Sequence, residues 1–248
     1  LKALKNTMGV LGWDYLVQDD ARFSVETYYK SYDDLPSGTT PGLNDYIVIT
    51  NTGTGYGGAD DDFQSFGYFD MTSTGTGRAY GMEFLLQKKF SDTPFYGLAS
   101  VTLNKIELTA HNGIVYPGQY DQPFILNISG GYKPNSKWEF SAKFRYFSGV
   151  PYTPMYTKGD NPNGSLNIQN LPDEYLSARV DGAHHLDIRV DRYFNFRNST
   201  LVIYADIQNV YNYAIALRPA YNAWDNSITT SSSIGCLLYT SPSPRDPH

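Results

Sequence analysis

The sequence predicts an all-β fold: an antiparallel up-and-down transmembrane β-barrel, present as an arc of about eight strands of a larger barrel. Three observations predict it. Connections alternate short and long along the chain, the strands between them alternate apolar and polar residues, and aromatic residues gather at strand ends. A barrel with tight turns on one rim and long loops on the other has this layout. A soluble sandwich also has hairpins, but nothing sorts its loops by parity.

The first short connection, Asp19–Asp20, joins an opening strand to ARFSVETYYK, where Phe23, Val25, Thr27 and Tyr29 oppose Arg22, Ser24, Glu26 and Lys30. A long connection near Leu35–Thr76 leads to GMEFLLQKKF, and the short Ser91–Pro94 turn leads out of it. Next come the long Thr109–Gln122 and the short Asn135–Ser136 connections, then KWEFSAKFRY. There Trp138, Phe140, Ala142, Phe144 and Tyr146 face away from Glu139, Ser141, Lys143 and Arg145. After the long Val150–Ala183 connection, HLDIRVD sets Leu186, Ile188 and Val190 against His185, Asp187, Arg189 and Asp191. The short Arg197–Asn198 turn precedes LVIYADIQ, with Leu201, Ile203, Ala205 and Ile207 opposite Tyr204, Asp206 and Gln208. A last long segment runs from Ala214. Half-buried soluble sheets alternate in the same way, so the loop parity carries the membrane prediction.

Aromatics make up 15% of the chain, with 22 Tyr among them. Phe90, Phe95, Tyr132, Trp138, Phe194 and Phe196 flank the short turns; Tyr28, Tyr29, Tyr146, Phe147, Tyr211 and Tyr213 sit near the long loops. Two such belts are expected where amphipathic rings meet lipid headgroups. The mean hydropathy of −0.42 is compatible with a barrel, whose lumen and loops are wet. No stretch reaches the ~18 consecutive apolar residues of a membrane helix. A net charge of −6 argues against nucleic acid as a partner.

The chain opens LKALKNTMG, without an initiator Met, and is expected to be the interior of a longer protein. Residues 236–246, CLLYTSPSPRD, resemble a translated sequencing adapter. Two segments are therefore expected: a partial outer-membrane β-barrel over 1–235 and a non-native tail over 236–248. Cys236 is the only cysteine, so residues 1–235 can hold no disulfide, thiolate metal site or cysteine nucleophile.

Several stretches resemble the C-terminal barrel of TonB-dependent outer-membrane receptors, particularly those of Bacteroidota. They are ETYYKSYDDLP at Glu26–Pro36, GMEFLLQKKF at Gly81–Phe90 and YPGQYDQP at Tyr116–Pro123, followed by KWEFSAKFRYFSGVPYTP at Lys137–Pro154, HHLDIRVDRYFNF at His184–Phe196 and YADIQNVYN at Tyr204–Asn212. The SG-x-PYTP and DIQN-x-YN pieces are the more specific. The resemblance implies a barrel of about 22 strands plugged by an N-terminal domain. It further implies a bacterial outer-membrane location and uptake of a nutrient (an iron chelate, a glycan or a peptide). The implied partners are outer-membrane lipid, the TonB complex acting through the plug, and a surface lipoprotein. Neither the plug, nor the TonB-contacting box, nor the final barrel strand is recognised in this segment.

Candidate lumen-facing polar residues are Glu26, Glu83, Glu139, Lys143, Arg145, Asp187, Arg189 and Asp206, joined by Arg22, Lys30 and Asp191. They would pair across strands or hold a plug by breakable polar contacts. Loops carry recognition on a rigid scaffold; the outer-loop candidates for ligand contact are Tyr116, Tyr120, Tyr152, Tyr156 and Trp224, with Tyr221 nearby. His184 and His185 are adjacent on a strand, so they face opposite ways and cannot share one metal. Asp60-Asp61-Asp62 is a solvated acidic loop or a calcium loop. No catalytic constellation is present, and no cofactor, metal or enzyme activity is expected. A passive porin and a soluble β-sandwich binding module remain as alternatives.

Overall fold

The computed structural model describes residues 1–39, 71–157, 174–222 and 224–232, and the backbone of 237–245. Eight long strands follow the chain: β1 (Lys5–Gln18), β2 (Ala21–Gly38), β3 (Met71–Lys88), β4 (Phe95–Thr109), β6 (Phe124–Asn135), β7 (Trp138–Phe147), β10 (Ala183–Asn195) and β11 (Thr200–Gln208). Shorter strands lie in the long connections: β5 (Val115–Pro117), β8 (Pro151–Tyr152), β9 (Ala178–Arg179), β12 (Ala220–Asn222) and β13 (Ser227–Thr229). A last strand, β14, spans Leu237–Arg245.

The long strands form one antiparallel sheet in the order β1-β2-β3-β4-β6-β7-β10-β11-β14, with β5 added to β4. Each strand pairs with its predecessor along the chain, which is an up-and-down meander. The short connections all fall at one end of the sheet and the long ones at the other, so the expected eight strands and their parity are present. β1 forms one edge, and all its residues are exposed.

Three features depart from the sequence expectation. First, the Leu35–Thr76 connection is shorter than expected, because β2 runs on to Gly38 and β3 starts at Met71. The register shifts between Tyr32 and Leu35 and again between Leu35 and Ser37. Asp34 lies at φ 60°, a left-handed conformation that Asp tolerates better than most residues. Beyond this bulge Leu35 is buried with Ala110 and Tyr116, which holds the extension in place. Second, the long connections carry their own pairs, β8–β9 and β12–β13. Third, part of the segment read from the sequence as a non-native tail pairs as β14 with β11, Leu237 opposite Gln208 through Arg245 opposite Thr200. An open strand edge offers a row of unmet backbone donors and acceptors to any extended segment. Pro242 and Pro244 share one parity, so both missing N–H groups fall on the same side of β14, as an edge strand permits.

Register places the alternating residues on two faces. Ile188 pairs with Ala142 and Ile207, and Leu186 with Phe144, so the apolar sets of β7, β10 and β11 share one side. Met82, Leu86, Leu103, Ile128, Phe140 and Ile203 belong to this side and are exposed. On β3 the apolar positions Tyr80, Met82, Phe84 and Leu86 are bracketed by Arg78 and Lys88. Ten residues of strand span roughly 33 Å, or about 25 Å in height at the usual tilt, the thickness of a barrel's apolar band.

Candidate functional site

The opposite face is polar and concave. Its hollow, about 720 Å³, is lined from β3 to β11 and includes Glu139, Lys143, Asp187, Arg189 and Asp206. Six of the eight candidate lumen residues form one patch on this face. Lys143 Nζ lies 3.3 Å from Asp187, its register partner, and His185 Nε2 lies 3.7 Å from the same carboxylate. The Asp187 Oδ1 also accepts the Asn209 N–H at 2.9 Å, which pins the start of the loop after β11. Arg189 pairs along its own strand with Asp191, at 2.6 Å, although Asp206 is its register partner. Its guanidinium stacks on Tyr204, 3.9 Å from the ring centroid. Arg145 stands between Asn127 and His185 and is exposed.

Glu139 is the most heavily bonded of the set. It accepts from Tyr96 Oη, from Tyr193 Oη at 2.7 Å, and lies 3.5 Å from Lys133 Nζ. Tyr96 is on β4 and Glu139 on β7, so the bond reaches across β6. Gly131 makes this possible: a Cβ there would lie 2.3 Å from the Tyr96 ring. Glu26 and Glu83 sit apart from this patch, opposite each other on β2 and β3. Tyr193 shares parity with Arg189 and Asp191 and was legible in the sequence; Tyr96 needed the register of β4 against β6.

The aromatic residues beside the short turns (Phe90, Phe95, Tyr132, Trp138, Phe194 and Phe196) are all exposed. Phe95 stacks on Tyr132 at 4.7 Å, and the Arg192 guanidinium lies 4.6 Å from Trp138. At the other rim, Tyr29 and Tyr146 lie on the apolar side, whereas Tyr28 and Phe147 have the opposite parity and belong to the polar side. A tyrosine run such as Tyr28-Tyr29 cannot place both rings on one face.

The long connections pack on one another. Tyr116 is buried, edge-on to Tyr175 at 5.4 Å, and belongs to the cluster with Leu35 and Ala110. Its ring is therefore occupied by loop packing. Tyr156 donates to both oxygens of Glu174, at 3.0 and 2.8 Å, and this bond holds its phenol above the ordinary tyrosine range. Tyr152 is half-buried in β8, Tyr120 is 70% exposed, and Trp224 is 99% exposed beside the β12–β13 hairpin. Sequence patterns did not point to Asp121, buried between the loops and paired with Arg179. Arg218 adds a bond to the Gln119 carbonyl at 2.8 Å. His184 and His185 do face opposite ways: His184 contacts Tyr211 and Tyr213 on one side, His185 approaches Asp187 on the other. Asp60, Asp61 and Asp62 lie outside the described residues.

This meander is similar to solved outer-membrane transporters. It superposes over 98% of this chain on 28% of the ferric-catecholate import receptor Fiu from E. coli K12, with a TM-score of 0.60 and 13% identity. The copper transporter OprC matches over 96% of this chain and 31% of its own, with a TM-score of 0.58 and 11% identity. The outer-membrane transporter YddB from Escherichia coli matches over 97% and 32%, with a TM-score of 0.57 and 12% identity. The fold is that of an arc of an outer-membrane transporter barrel. The chain spans less than a third of the length of each of these proteins. No protein-family model matches the sequence, and no curated protein matches it.

Proposed function

We propose that this chain is part of the barrel of a TonB-dependent receptor of the Bacteroidota type in the bacterial outer membrane. The receptor takes up a nutrient (an iron chelate, a glycan or a peptide) and is energised by TonB acting on an N-terminal plug. The observation that carries the proposal is the two-faced meander. All tight turns lie on one rim and all long loops on the other, and the outward face bears an apolar band of membrane thickness. The fold shared with three outer-membrane transporters supports it. The polar face, with Glu139, Lys143, Asp187 and Arg189, lines the lumen, where a plug is held by polar contacts. The loops bearing Tyr120, Tyr152, Tyr156 and Trp224 form the capture surface, with a surface lipoprotein as a further partner. The protein is a transporter component and not an enzyme. Residues 236–248 are a non-native tail, and the pairing of Leu237–Arg245 as β14 reflects the open edge of β11.

The test is uptake by cells carrying the full-length parent, with and without TonB. The expected outcome is a heat-modifiable outer-membrane protein whose candidate nutrient accumulates only when TonB is present. Equal uptake without TonB would make the parent a passive porin. A parent that stays soluble without detergent would remove the membrane assignment.

A further inference from the structure

We infer that the nutrient is an uncharged glycan, stacked on Tyr120 and Trp224 at the long-loop rim. The inference rests on the reading of the parent as a nutrient receptor and narrows its ligand to one class. Tyr120 and Trp224 are the two most exposed aromatic residues among the described residues, at 70% and 99%. Neither side chain makes a hydrogen bond or ring contact there. Other tyrosines of these loops are occupied: Tyr116 packs on Tyr175, and Tyr156 donates to Glu174. Both exposed rings stand on fixed backbone. Tyr120 lies between Gln119, whose carbonyl accepts from Arg218 at 2.8 Å, and Asp121, buried against Arg179. Trp224 follows β12, and its N–H donates to Asn222 Oδ1 at 3.0 Å. Asp225 closes the same turn by accepting from the Ser227 N–H and hydroxyl, at 3.2 and 2.6 Å. The Arg218–Gln119 bond ties the segment leading into this hairpin to the loop that carries Tyr120. A ring on a rigid support loses little conformational freedom when a ligand covers it.

Charge decides the class. The long connections, 39–70, 110–122, 148–182 and 209–235, hold eleven carboxylates and three basic residues, Lys158, Arg179 and Arg218. Arg179 is bound to Asp121, and Arg218 to the Gln119 carbonyl. The basic residues at the adjoining strand ends are matched as well: Lys2 and Lys5 by Asp34, Arg78 and Lys105 by Glu107. An anionic iron chelate approaching this rim meets net negative charge, which repels it. A basic peptide would be attracted, but it needs open carboxylates beside the rings. Asp121 and Asp225, next to Tyr120 and Trp224 in sequence, are already engaged, by Arg179 and by Ser227. A neutral glycan needs neither charge. The apolar C–H face of a pyranose packs on an aromatic face, and its hydroxyls exchange hydrogen bonds with amides, which both donate and accept. Gln119, Asn222 and Asn226 place such amides near the two rings in sequence.

The experiment measures binding to the full-length parent, purified from outer membranes in mild detergent. The probes are a panel of neutral oligosaccharides cut from plant and microbial polysaccharides, a ferric tris-catecholate and a Lys/Arg-rich peptide. At least one oligosaccharide is expected to bind, with an affinity unchanged by added salt, and the two charged probes are expected not to bind. Tyr120→Ala and Trp224→Ala are each expected to weaken oligosaccharide binding about tenfold. Tyr120→Phe is expected to preserve it, since the ring face remains. Phe196→Ala, which removes an exposed ring at the opposite rim, is expected to leave it unchanged. The wild-type comparison of probes carries the test should a ring variant fail to assemble. Binding of the chelate or the peptide in place of the oligosaccharides, binding of no oligosaccharide, or binding unmoved by both alanine changes would each overturn the inference. TonB-dependent uptake of the chelate would overturn the glycan and keep the receptor. Oligosaccharide binding with uptake independent of TonB would keep the glycan and overturn the receptor.

Discussion

Glu26 and Glu83 stand directly opposite each other across the β2–β3 ladder, on the polar face, and both are exposed. Their next neighbours in register are Gly12 and Thr102, which bring no positive charge. Like charges at facing positions destabilise a sheet slightly. Glu83→Lys is therefore expected to stabilise the parent barrel by about 0.2–1 kcal/mol, read as a raised urea midpoint for folding into vesicles. A lowered midpoint would show that a cation from another part of the parent faces this pair.

The two faces of the sheet were legible in the sequence because parity depends only on the strand period. The partners on the polar face were not, because they depend on register. Opposite charges were expected to meet across strands, and Lys143 with Asp187 does so. Arg189 instead bonds Asp191 two residues along its own strand, because Tyr204 offers its guanidinium a stacking surface there. The reach of Tyr96 to Glu139 depends on a glycine on the strand between them. The loop residues were the least legible. Tyr116 has the composition of a ligand contact but serves as packing, and Asp121 carried no pattern that marked it as buried.

Ile188 lies at the centre of the apolar band on β10, between Ala142 and Ile207. Ile188→Arg is expected to cost about 2–4 kcal/mol in lipid, as charge at the midplane of a barrel does. Ser141→Arg projects from the neighbouring strand into the polar hollow and is expected to be mild. The check is equilibrium folding of both variants of the parent into vesicles; equal costs would contradict the assignment of faces.

The turn between β1 and β2 has its own pH response. Asp20 is held below the usual carboxylate range by hydrogen bonds from Lys88 Nζ and Ser91 Oγ. A depressed folded value contributes stability that is fully present above the unfolded value, 3.8 for this group, and is lost as pH falls through the folded value. Amide exchange at Lys89, whose N–H bonds the Asp20 carbonyl at 2.8 Å, is the local readout. Protection there is expected to fall on acidification below that range in the wild type. Asp20→Asn is expected to start weaker and to lack the response.

Rim assignment is testable with cysteines introduced into residues 1–235, which contain none, with the unsubstituted parent as the labelling control. Trp224→Cys lies in the long segment after β11, and Asn198→Cys in the tight turn before it. In intact cells carrying the parent, a membrane-impermeant maleimide is expected to label the first and spare the second. The reverse pattern would invert the topology and remove the loops as the capture surface.

Asp121 and Arg179 bind two long loops into one outer platform. Asp121 is 1% exposed; its Oδ1 accepts the Ile106 N–H at 2.8 Å, and its Oδ2 pairs with the Arg179 guanidinium. Arg179 also donates to the Asp121 carbonyl at 2.5 Å and to the Gly149 carbonyl at 3.1 Å. Removing Arg179 leaves the Asp121 carboxylate buried and unmatched, which costs about 3 kcal/mol where a buried pair is broken; removing Asp121 costs less, because the Arg179 side chain is 37% exposed and can turn to solvent. Asp121→Ala and Arg179→Ala are each expected to open the platform, read as faster amide exchange at Ile106. The double variant is expected to cost less than the sum of the two, because the second change relieves the charge stranded by the first. Arg179→Lys keeps the charge but cannot bridge three oxygens as a planar fork does, so its exchange rate is expected between wild type and Arg179→Ala. Additive effects, or single changes with no effect on exchange, would show that the loops are held by the Tyr116–Tyr175 contact and its neighbours, and not by this pair.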